Sequence, residues 1–109
     1  MAFDQVLAQR IGDRLAGVPG VTSKQMFGRF VFLVDGHLTV GVTGADLMVR
    51  VGPDDAGAAL SRPGVRPSDM GGRRMAGWVV VDGSGLTDDH TLDGWISQAR
   101  AYVATLPPQ

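Results

Sequence analysis

Between Lys24 and Gly52 the chain reads KQMFGRFVFLVDGHLTVGVTGADLMVRVG, and the Asp35-Gly36 pair inside it constrains the fold most. A two-residue type I′ hairpin needs positive φ at both central positions, and Asp-Gly adopts that shape at little cost. Before the pair, Phe30, Phe32 and Val34 alternate onto one side; after it, Leu38, Val40 and Val42 do the same. A second turn at Thr43-Gly44-Ala45-Asp46 leads into Leu47, Val49 and Val51, again at period two. Three strands with one apolar face each predict an antiparallel meander that a layer of helix must cover. Turns this short exclude a parallel crossover among them.

Helical spacing appears on both sides of the meander. Over residues 3–16, Phe3, Val6, Leu7, Ile11 and Leu15 form an apolar stripe, Gly17 and Pro19 supply the stop, and the sheet is expected to begin after Gly20, at Val21 or a few residues later. Gly52-Pro53-Asp54-Asp55 reads as the start of a short helix, AGAAL, that ends before Pro63. Residues 61–77, SRPGVRPSDMGGRRMAG, read as an ordered excursion with one short strand, followed by the strand Trp78-Val79-Val80-Val81. From Thr87 or Asp89 to Thr105 a last helix is expected, in which Leu92, Trp95, Ile96, Ala99, Tyr102, Val103 and Leu106 keep helical spacing until Pro107-Pro108. The expected class is α+β: a two-layer sandwich of one antiparallel sheet with its helices on one face.

Composition narrows the function classes. A chain of 109 residues can bury roughly two thirds of its unfolded surface in one core. The absence of cysteine excludes disulfides, thiolate metal ligands and a cysteine nucleophile. A net charge of −1 supplies no global field toward nucleic acid or anionic lipid. No apolar run approaches the roughly 20 residues of a membrane span, and a cytoplasmic domain without membrane contact is expected.

Several segments together carry a family resemblance. Met26-Phe27-Gly28, Asp35-Gly36 followed by Leu38-Thr39-Val40-Gly41-Val42, the run Asp46–Gly52, and Gly72–Val79 occur in one order over nearly the whole chain. In this the chain resembles the N-terminal domain of the TfoX/Sxy competence regulators of bacteria. The resemblance implies an α-β(3)-α-β(2)-α order, one domain over residues 1–109, and a role in regulation linked to natural transformation. It implies no catalytic chemistry.

The candidate chemistry in the residues is thin. His37 follows a hairpin turn and His90 stands near a helix start, neither at metal-ligand spacing from another donor, so no metal, cofactor or catalytic residue is expected. Asp88, Asp89 and Asp93 are explained by helix capping and the helix dipole. The basic residues are nine arginines and one lysine, a choice that suits carboxylate, phosphate and aromatic contacts. Arg62 and Arg66 are expected on a solvated rim. Arg73 and Arg74, with Met75 beside them, are the foremost interaction candidates, because glycines on both sides let that backbone take special shapes. Arg50, opposite the Leu47, Val49 and Val51 face, and Met26 complete the set. Phe27 is expected in the core, whereas Met26 is left open between the core and an exposed apolar edge.

Two function classes stay open, and an enzyme ranks third. One is a regulatory module that binds another protein or a second copy of itself. The other is a nucleic-acid-associated factor using its arginines on phosphates, with affinity no better than roughly 10⁻⁴ to 10⁻⁶ M and without sequence preference.

Overall fold

Asp35 and Gly36 take φ values of 51° and 84°, the backbone that the hairpin at the centre of the chain requires. The computed structural model describes residues 3–70 and 73–107, without the side chains of residues 69, 70, 73 and 74. In chain order the elements are α1 (Gln5–Leu15), β1 (Val21–Met26), β2 (Arg29–Val34), β3 (His37–Thr43) and β4 (Asp46–Arg50). They are followed by α2 (Ala56–Leu60), β5 (Val65–Met70), β6 (Arg73–Val81) and α3 (Asp89–Val103). The strands form one open six-stranded sheet in the order β1-β2-β3-β4-β6-β5, and every neighbouring pair is antiparallel. The fold is α+β, as the periodicities predict.

Four strands precede α2, one more than the meander pattern identifies. The additional strand is β1, VTSKQM, whose middle four residues are exposed. It lies at the edge of the sheet and its sequence lacks apolar alternation, so its pairing with β2 defines it. The opposite edge, β5, carries Pro67, which an edge strand tolerates because one side of its backbone has no ladder to complete. The Arg73–Val81 strand is likewise longer than the four apolar residues from Trp78 suggest, because it runs the full length of β5.

One core joins all three helices to one face of the sheet. Leu7, Ala8, Ile11 and Leu15 of α1, Ala59 of α2, and Leu92, Trp95, Ile96 and Ala99 of α3 pack with Phe32, Val40, Val42, Leu47, Val49, Val51, Val79 and Val81. Val6 is excluded from this core and is 70% exposed. It stands about 150° around the helix from the middle of the buried stripe, at 100° per residue, and Ala8 takes the place expected for it.

A smaller cluster occupies the other sheet face, where Met48, Trp78 and Val80 are buried with Leu38 and Met75 against them. Met48, Trp78 and Val80 alternate with the helix-facing residues along β4 and β6, so both faces there are apolar. Leu38, expected on the side of Val40 and Val42, is turned to this second face instead, because the β2–β3 register shifts between Phe32 and Leu33.

Helix ends follow local chemistry. Asp4 accepts hydrogen bonds from the Val6 and Leu7 amides at the start of α1, and Asp88 accepts from the Thr91 amide and hydroxyl at the start of α3. Beyond capping, Asp89 receives ion pairs from Arg10 and Arg14, and Asp93 from Arg14, which ties α1 to α3.

Candidate functional site

The expectation that Phe27 lies in the core is overturned: its side chain is 80% exposed. Met26 and Arg29 pair across β1 and β2, which leaves Phe27-Gly28 as the two-residue loop of that hairpin. The loop residues have φ values of 54° and 75°, so Phe27 occupies the position where asparagine or aspartate is the usual choice. A bulky residue in left-handed backbone costs of order 1–3 kcal/mol and is found where something other than local stability selects it. The Met26-Phe27-Gly28 segment shows why sequence reading missed this. An aromatic residue inside an apolar segment looks like core until ladder register places it at a turn.

Met26 is half-buried at the base of the same tip. Phe30, two residues past the loop, turns inward and packs its ring 5.4 Å from Phe3 and 5.3 Å from Phe32. One of the two strands that carry the tip, β2, is thus anchored by aromatic packing.

The other candidates lie elsewhere. Arg50 is half-buried, with its guanidinium carbon 5.9 Å from the Trp78 ring centre and 5.7 Å from that of Tyr102. Its Nη1 donates to the Leu38 carbonyl at 3.2 Å. Met75 packs on the Met48, Trp78 and Val80 cluster. Arg73 and Arg74 fall in β6, opposite Met70 and Asp69 of β5, and their side chains lie outside the described residues. Hairpin tip and arginine pair are therefore not one surface in the sequence order: the tip joins β1 to β2, and the pair belongs to the opposite end of the strand order.

Arg62 and Arg66 are exposed, as a solvated rim requires, and each is also tied into the fold. The Arg62 guanidinium stacks on the Trp95 ring at 4.0 Å, and Arg66 Nη2 donates to Asp46 Oδ2 at 2.7 Å. Both contacts join residues more than 15 apart in sequence, a separation over which single-sequence patterns carry no signal.

Two carboxyls titrate below the usual carboxylate range. Asp82 is held down first by the Ser84 hydroxyl and then by the Ser84 amide. Asp88 is held down by the Thr91 hydroxyl and amide. Each is a turn or cap whose ionised form is the better acceptor. His37 is buried after the Asp35-Gly36 turn, and its Nε2 donates to the Pro107 carbonyl, anchoring the end of the chain that follows α3. Among the described residues no group of three histidine, aspartate or glutamate side chains is placed to hold a metal ion. No helix among them is long and apolar enough to cross a membrane.

Compared with known protein families, residues 13–102 match the model of the TfoX N-terminal domain. No curated protein and no solved structure gave a match.

Proposed function

The chain belongs to the TfoX N-terminal domain family, and on that premise we propose that this competence-regulator-like module is non-enzymatic and docks on a partner protein in the cytoplasm through the tip of its β1–β2 hairpin. One observation carries the reading: Phe27 is 80% exposed in left-handed backbone at a two-residue turn. The fold gains nothing from that placement. It exposes an aromatic ring to water and strains its backbone, whereas an aromatic anchor in a partner's pocket is among the strongest contributors to protein–protein affinity. The anchored β2 strand and its ladder with β1 hold the backbone of the turn in place, which limits the entropy lost on docking.

Phosphate contacts on nucleic acid have less support. Arg10, Arg14, Arg50, Arg62 and Arg66 are each engaged within the fold, and the net charge is −1.

The test replaces Phe27 with a photoreactive phenylalanine analogue in the full chain and irradiates it in the native cell, with Thr105 as an exposed control position. A discrete adduct from position 27 alone, competed by excess wild-type chain and not by Phe27→Asn, supports docking; an adduct with itself identifies the partner as a second copy. Equal adducts from both positions, or competition by Phe27→Asn as effective as by wild type, refute it.

A further inference from the structure

On the sheet face away from the helices lies a cleft of about 210 Å³, lined by Arg29 of β2, Thr43 of β3, and Arg66 and Ser68 of β5, with Met48 and Val80 in its walls. Strand alternation places Arg29 there. Phe30 and Phe32 point to the helix-covered core, so Arg29 and Val31 point the other way, and Val31 is itself buried on that face.

Arg29 Nη1 is shut off from solvent and has no hydrogen-bond partner among the described residues. A guanidinium cannot shed its charge, so the deprotonation that relieves a buried lysine is closed to it. A buried charged donor without an acceptor is costly and rare in native folds. The cleft contains other unused donor capacity. Ser68 is 2% exposed, and its hydroxyl reaches only the Met75 sulfur at 3.9 Å, a weak acceptor. Arg66 uses Nη2 on Asp46 Oδ2, which leaves the remaining N–H groups of its fork. Among the described residues no carboxylate is in the lining; Asp46, which pairs with Thr43 across the ladder, stands next to it and holds Arg66.

We infer that this cleft binds a small tetrahedral oxyanion, a phosphate or the terminal phosphoryl group of a phosphomonoester. Two arginines and two hydroxyl residues lining one cleft suit an acceptor with several oxygens. The volume is below the roughly 300–1,000 Å³ of pockets for drug-sized ligands, so it takes the anionic group and not a bulky body attached to it. This site lies apart from the Phe27 anchor and does not depend on it.

The experiment titrates the full chain with inorganic phosphate, methyl phosphate and acetate at ionic strength held constant with chloride, following the melting temperature and amide NMR shifts. A ligand that binds only the folded state raises the melting temperature with its concentration. The expected result is a saturable rise with inorganic phosphate, a smaller effect of acetate, and amide shifts centred on Arg29, Thr43 and Ser68. A matching response to methyl phosphate assigns the site to esterified phosphoryl groups as well; no response to it restricts the site to the free anion. Arg29→Met removes the charge and lowers affinity by about tenfold or more, as loss of a charge-assisted hydrogen bond would. If Arg29→Met does not fold, Arg29→Lys keeps the charge without the fork and is expected to weaken binding as well. Phosphate effects equal to chloride, shifts spread over the surface, or affinity unchanged in the folded Arg29 variant would overturn the proposal.

Discussion

The guanidinium carbon of Arg62 stands 4.0 Å from the centre of the Trp95 ring, so the segment after α2 is fastened to the middle of α3 by one stacked pair. Trp95 is almost fully buried, and the arginine lies over its ring. Arg62→Ala is expected to destabilise the protein by about 1 kcal/mol, through lost cation–π attraction and lost cover over the ring. Arg62→Lys should recover part of that, since an ammonium stacks less well than a planar guanidinium. Urea midpoints of the two variants measure the difference.

Tyr102 lies against the backbone of Gly52, whose φ is 90° and where a methyl group would overlap the ring. Gly52→Ala therefore meets two penalties, backbone strain and a clash, and should cost more than the roughly 1–3 kcal/mol of strain alone. In a Tyr102→Ala background only the strain remains. The two substitutions should be strongly non-additive in a double-mutant cycle, and simple additivity would show that the ring does not limit position 52.

Phe27→Gly should raise stability slightly: it relieves left-handed backbone strain of roughly 1–2 kcal/mol and exposes no new surface, and the freedom of glycine in the unfolded chain offsets about 0.5–1 kcal/mol of that. Phe27→Asn should behave similarly at the same turn. Thermal melts of both variants test this directly. A loss of stability in both would place the ring in the fold's own packing and remove the basis for an anchor.

Acid should weaken the start of α3 through Asp88. Its carboxyl is held below the ordinary range when folded, so the unfolded chain takes up the proton more readily. The stabilisation is complete above the unfolded value near 3.9 and is lost as pH falls through the folded one. Asp88→Asn keeps a capping acceptor and loses that proton linkage. Between about pH 6 and about pH 3, its urea midpoint should fall less steeply than that of the wild type.

What the sequence determined by itself was the local grammar. Asp35-Gly36, the period-two runs around it, and the helical spacing of Leu92 to Val103 specify their elements because turn geometry and side-chain alternation act over a few residues. The class α+β and the single helix-covered face follow from the same rules, as did the family resemblance. The tertiary structure decided the rest. β1 exists as a strand because β2 offers it a ladder, not because its residues alternate. Phe27 is exposed, and not core, because the register of that ladder puts it at the turn. Arg29, half-buried, has its Nη1 enclosed without an acceptor among the described residues, because strand alternation turns it to the face opposite Phe30, where Arg66 and Ser68 arrive from a strand nearly 40 residues away. Arg62 finds Trp95, and Arg14 finds Asp93, across gaps of the same kind. Ladder register and packing between distant segments are properties of the assembled sheet, and no short window of the chain contains them.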